Sequence, residues 1–188
     1  MDLLNNCTWI GGDSLGSNGF TKAVESQSKI FRNEIFKNVI MGSTCTFRHI
    51  DLLKYSDKLF DELDLYKGTD LNHKYMVTKF IPNLIKLFDD GIKSEDVKEK
   101  GANFIIGVKD RLFEIQGDYS VLEPYDGYTA VGCGEYAAYG SLYTTKDLDI
   151  PIPKKIQIAL EAAEHNVCGV QRPFRIINTM NDKEIIIS

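Results

Sequence analysis

With 188 residues, 43% of them hydrophobic, and ten Phe, nine Tyr and one Trp, the chain has the size and apolar content of one compact domain rather than of a disordered segment. Asp and Glu outnumber Lys and Arg by 27 to 22, a formal net charge of -5, so no cationic surplus is available to neutralise phosphates and nucleic acid is not expected as a partner. No apolar run approaches the roughly 20 residues of a membrane span, and Met1-Asp2-Leu3-Leu4 lacks a basic leader, which together point to a cytoplasmic protein without a membrane partner.

In chain order, Cys7 to Asp13 reads as a strand entering a Gly-Gly turn, since Thr8, Trp9 and Ile10 favour extended backbone, and Ser14 to Gly19 reads as a polar loop. Lys29 to Phe31 and Phe36 to Met41 form a hairpin, its second strand too uniformly apolar to have a face in water. Phe47, Ile50, Leu53, Leu59 and Phe60 predict a helix over 44–62, with Ser43 or Thr44 as N-cap. Val77, Phe80, Ile81, Leu84, Leu87 and Phe88 predict a second over 73–90, kinked at Pro82. The charge run Lys93 to Lys100 is a solvated connection.

Beyond it, Ala102 to Val108 and Arg111 to Gln116 flank Lys109-Asp110, a two-residue hairpin loop. Tyr128 to Gly132 reads as a strand, Glu135 to Tyr143 as a helix of small residues, and Lys154 to His165 as a helix opened by Pro151 and Pro153. Strands Phe174 to Asn178 and Glu184 to Ile187, joined by a turn at Met180 to Lys183, close the chain. Strands, a helix pair, strands, a helix pair and strands again do not suit a doubly wound parallel sheet. They predict an α+β fold: a four-layer αββα sandwich spanning 1–188 as one domain, with Ile30, Val39, Ile40, Ile105, Ile106 and Val131 between the sheets and the pairs 44–62/73–90 and 135–145/154–165 on opposite faces.

Four cysteines (Cys7, Cys45, Cys133, Cys168) show no Cys-x-x-Cys and no Cys/His cluster, so neither a metal nor a cofactor is expected. Cys133, between two glycines at a strand-to-helix turn, is a candidate reactive thiol; no His is placed by sequence as its base, and a small residue at a tight turn is the plainer reading.

The element order, with Gly11-Gly12-Asp13-Ser14, Ser28-Lys29-Ile30-Phe31 and Ala130-Val131-Gly132-Cys133-Gly134 before an Ala-rich helix, resembles the proteasome β-subunit and its bacterial relative HslV over about residues 7 to 180. These are N-terminal nucleophile (Ntn) hydrolases, which cleave amide bonds with the side chain of a processed first residue, normally Thr, and use its own α-amine as base. A hydroxyl is a weak nucleophile, and a free α-amine with an ordinary pKa of about 7.7 to 8.0 can activate it at neutral pH. The resemblance implies that Asp13 and Lys29 are the pair holding that terminus, whose plainer alternative is a structural salt bridge. It also implies that the backbone N–H groups at Ser43 and Thr44 form the oxyanion hole, the plainer alternative being a helix cap. Asn166 and Cys168 fall about where the family carries an auxiliary Asp and Ser, and both depart from that pattern.

The largest departure is at the start. The family nucleophile opens a first strand, whereas here only Met1 to Ile10 precede Gly11, enough for a stub Met1 to Leu4 and a turn at Asn5-Asn6. Cleavage exposing Cys7 or Thr8 would leave the new terminus about 17 to 20 Å from Asp13 along the strand. The expectation is therefore a non-catalytic member of the fold that self-assembles or binds another protein. The alternative is a threonine-type peptidase or amide hydrolase whose true start lies upstream of Met1 with a Thr, Ser or Cys.

Overall fold

The computed structural model describes residues 6–17, 21–44, 46–61, 70–92 and 102–188. One sheet has the order β1-β9-β10, built from β1 (Trp9–Gly12), β9 (Phe174–Asn178) and β10 (Ile185–Ile187). The other runs in sequence order through β4 (Ile30–Arg32), β5 (Val39–Ser43), β6 (Phe104–Val108), β7 (Arg111–Ile115) and β8 (Val121–Leu122). Every pairing in both is antiparallel. The expected loop after Asp13 instead contains a small hairpin, β2 (Leu15–Ser17) with β3 (Lys22–Val24). Three residues a side are too few to leave a readable period in the sequence.

Helices α1 (Phe47–Tyr55) and α2 (Ile81–Gly91) pack together on one side, and α3 (Glu135–Thr145) packs with α4 (Ile152–Asn166) on the other, where α4 lies against β1 and β9. The architecture is the four-layer αββα sandwich. Its layering follows from strand alternation. Val39 and Met41 of β5 face the α1/α2 side and join Ile50, Leu53, Phe80, Leu84, Phe88 and Phe113 in the main core. Ile40, between them, points the other way and meets Ile10 and Ile30, with Ile105 and Ile177 against that cluster. The expected inter-sheet layer is corrected accordingly: Ile30, Ile40 and Ile105 lie in it, whereas Val39 and Ile106 belong to the core under the helices. Val131 lies in no strand, because Tyr128 to Gly132 form an irregular segment.

Close approach of the sheets depends on glycine. A Cβ at Gly12 would sit 2.7 Å from Cγ2 of Ile30, while one at neighbouring Gly11 would collide with Ile156 on α4. Adjacent residues of β1 thus give room to the opposite sheet and to a helix in turn.

Two helices differ from expectation for identifiable reasons. α1 begins after Thr46 and ends at Tyr55, not 44–62, since Ser56 is extended (φ -76, ψ 132). Its last-turn carbonyls are already taken, Leu53 O by Asn33 Nδ2 at 2.8 Å and Lys54 O by the Glu34 N–H at 3.0 Å, so the turn after β4 caps the helix. Leu59 and Phe60 are buried all the same, Phe60 stacking edge-on against Phe36 at 5.1 Å. The second helix starts at His73–Tyr75 and passes through a π segment, Met76–Phe80, into α2. There the Ile81 N–H reaches back to Met76 O, immediately before Pro82, which has no N–H of its own to donate.

The hairpin β6–β7 turns at Lys109-Asp110, with Lys109 at φ 54 as such a loop requires. The two C-terminal helices and the strands β9 and β10 fall where the sequence puts them. The charge run 93–100 and the stub 1–4 lie outside the described residues. No described helix is long and apolar enough to cross a membrane.

Candidate functional site

β1 ends at Gly12, and the chain turns so that the Asp13 carboxylate faces the start of β4. Lys29 Nζ donates to Asp13 Oδ1 at 2.7 Å, and the pair is mostly buried, at 22% and 12% side-chain exposure. Oδ2 accepts the N–H of Leu15 at 3.0 Å and of Gln171 at 3.3 Å. The carboxylate is thus held from three directions, as a buried charge requires. Of the three N–H donors on Lys29, one goes to Asp13, and no described residue takes the other two.

The pair opens on a cavity of about 410 Å³. Its walls include Trp9 to Asp13, Lys29, Ser43, Thr44, the turn Gly132-Cys133-Gly134, and Ile156 and Leu160 of α4. Contact with α4 on one face of β1 and with Ile30 and Ile105 on the other places the cavity along the free edge of that strand. The hydrogen-bonding phase agrees. Thr179 N–H donates to Thr8 O, so Thr8, Ile10 and Gly12 turn their main-chain groups toward β9, and Trp9 and Gly11 turn theirs to the open edge. No described residue pairs with that edge, and none of the described residues takes the buried indole nitrogen of Trp9 either.

Asp13, Lys29, Ser43 and Thr44 all line this one cavity. The N–H groups of Ser43 and Thr44 both have main-chain partners: Ser43 N donates to Lys29 O at 3.0 Å and Thr44 N to Asn103 O at 3.3 Å. They extend the β4–β5 and β5–β6 ladders instead of facing a ligand. Neither residue caps α1. Asn166 and Cys168 do not line the cavity: Asn166 Nδ2 donates to Ala162 O at 2.7 Å at the exposed end of α4, and Cys168 is exposed just beyond it.

Sequence reasoning missed two contributors. Gln171 grips Asp13 from 158 residues away, and a contact that remote leaves no local signal. The irregular segment Tyr128 to Val131 forms a further wall, anchored where Thr129 Oγ1 donates to Glu114 Oε2 at 2.5 Å and meets Tyr139 Oη at 2.6 Å. Among the described residues no three His, Cys, Asp or Glu side chains gather as a metal site would need.

No family model matches the chain, and no curated protein matches it. Solved structures do. Eukaryotic HslV from Trypanosoma brucei superposes with a TM-score of 0.66 at 20% identity, over 92% of this chain and 93% of that one. BPH from Thiobacillus denitrificans in complex with epoxomicin gives 0.63 at 15%, over 97% and 94%. Anbu, the ancestral β-subunit, from Yersinia bercovieri gives 0.62 at 13%, over 96% and 82%. With nearly the whole chain matched in architecture at these identities, this protein has the Ntn-hydrolase/proteasome-subunit fold of HslV, BPH and Anbu.

Proposed function

We propose that the polypeptide Met1–Ser188 is a non-catalytic, self-associating protein of HslV-like fold. The observation carrying this reading is that the N–H groups of Ser43 and Thr44, which the resemblance makes the oxyanion donors, are spent on Lys29 O and Asn103 O. A tetrahedral oxyanion needs donors aimed at it and free of other partners. The Asp13–Lys29 pair then serves as a structural tie between β1 and β4. The test is hydrolysis of fluorogenic peptides by the purified chain. The expected rate is that of buffer, and hydrolysis abolished by Lys29→Ala and blocked by a threonine-directed boronate would overturn the reading.

A second reading has its own support in the open edge of β1. A cavity running beside Trp9 to Asp13, with main-chain groups at Trp9 and Gly11 that no described residue pairs, has the shape of a place for one more strand. If the natural protein carries an upstream strand headed by Thr, Ser or Cys, its α-amine would arrive beside Asp13 and Lys29. The two Lys29 donors that no described residue takes would then orient that terminus, and the chain would be an N-terminal nucleophile amide hydrolase. A variant extended by about ten residues, enough for one strand and a turn and beginning Met-Thr so that the Met is removed, separates the readings. Activity in this variant, lost on Lys29→Ala, supports the second; an extended variant that folds and remains inactive supports the first.

A further inference from the structure

Two exposed thiols stand on segments that touch. Cys133 lies in the turn leading into α3, and Cys168 lies in the connection leaving α4. A Cβ built on Gly169 would come within 2.6 Å of Cys133 Sγ. The thiol therefore occupies the space that a side chain at 169 would fill, within about 4 Å of the Gly169 Cα, and Cys168 Cα is one peptide unit, about 3.8 Å, farther along. The same two segments meet again one residue on, where a Cβ at Gly134 would come within 2.9 Å of both Val170 Cγ2 and Ala163 Cβ. Each cysteine has glycine beside it: Gly132, at φ 104, and Gly134 flank Cys133, and Gly169 follows Cys168. A disulfide needs Cα atoms roughly 4.4 to 6.8 Å apart and a particular dihedral, and glycine backbones are the ones that adjust to it at least cost.

We propose that Cys133 and Cys168 form a redox-active thiol pair that closes to an intramolecular disulfide with a peroxide as oxidant. One thiolate attacks the peroxide, its O–O bond breaks, and a sulfenic acid and water result. The second thiolate attacks the sulfenic sulfur, the S–S bond forms, and the hydroxyl leaves as water once protonated. Two thiols and one hydrogen peroxide thus become one disulfide and two waters, with two electrons passing from sulfur to oxygen. The bond ties the N-terminal turn of α3 to the exit of α4. Because Cys133 and Gly169 line the same cavity as Asp13 and Lys29, oxidation fixes part of the wall of that cavity. This site does not depend on whether the chain is catalytic.

The test treats the purified chain with hydrogen peroxide, alkylates the remaining thiols and digests without reductant. Expected are a loss of two hydrogens per chain, a peptide pair joining Cys133 to Cys168 that dithiothreitol separates, and no such pair in Cys133→Ser or Cys168→Ser. Circular dichroism matching the parent shows that each variant still folds. If a variant does not fold, the parent alone decides by which cysteines its linked peptides contain. Oxidation to sulfinic or sulfonic acid without a link, a link to Cys45 or Cys7, or a link only between chains would overturn the proposal.

Discussion

Lys29 and Asp13, 16 residues apart, meet at 2.7 Å through Asp13 Oδ1, while Oδ2 of the same carboxylate takes the N–H groups of Leu15 and Gln171. The two partners are therefore unequal. Removing Lys29 leaves a carboxylate still held by two backbone donors; removing Asp13 strands an ammonium and both donors together. Asp13→Ala should cost about 2 to 4 kcal/mol and Lys29→Ala about 1 to 2, between the values for exposed and fully buried pairs. Urea titrations of both variants check this, and a larger loss for Lys29→Ala would contradict the geometry.

Gly12, like Ile10, is a point where β1 touches the opposite sheet. Gly12→Ala drives a methyl against Cγ2 of Ile30, a β-branched side chain with little rotamer freedom, and should cost about 1 to 3 kcal/mol. Ile30→Ala removes the obstructing atom, so the double variant should lose less than the sum of the singles. Strict additivity in a thermodynamic cycle would show that the two residues do not share this contact.

For the proposed self-association the candidate surface is the outer face of α3, where Tyr136 and Tyr143 are 84% and 61% exposed and lie two turns apart. Aromatic side chains of this kind anchor interfaces. Replacing both with Glu should shift the mass measured by light scattering at tens of micromolar (about 50 µM) toward the monomer and change the stability of the fold by less than about 0.5 kcal/mol. A monomeric parent chain at that concentration would remove the basis of the prediction.

In the turn between β7 and β8, Asp118 accepts the Ser120 N–H at 2.9 Å, and this hydrogen bond holds its carboxyl below the ordinary 3.8. A lowered folded-state value means that the turn is favoured above 3.8 and loses that contribution as pH falls through the lowered value. A carboxyl-carbon NMR titration should place the Asp118 midpoint below 3.8, and Asp118→Asn should abolish that transition. A midpoint at or above 3.8 would show that the hydrogen bond does not persist in solution.

Much of this arrangement is legible in local residue order. The glycine pair, the two prolines before α4, the Lys109-Asp110 turn and the segregated order of strands and helices sufficed for the four layers, because each rests on backbone preference or on hydrophobic period over a few residues. The errors came where a remote partner overruled the local pattern. Helical spacing continues past Tyr55 to Leu59 and Phe60, yet Asn33 and Glu34 take the carbonyls that would extend α1. Tyr128 to Val131 have the composition of a strand, but no described strand pairs with them, and Thr129 binds Glu114 and Tyr139 instead.

Sequence alone pointed to an αββα sandwich, since periodicity and turn chemistry act within single elements, whereas the Asp13–Lys29 pair was implied by the family resemblance and not by any local pattern. Tertiary structure decided the rest: which face of β5 each residue occupies, that the Ser43 and Thr44 amides are consumed by Lys29 and Asn103, that one edge of β1 beside a cavity is paired by no described residue, and that Cys133 rests against Gly169. Each of these depends on which distant segments share a hydrogen-bond ladder or a packing space, and that is set by how the layers dock.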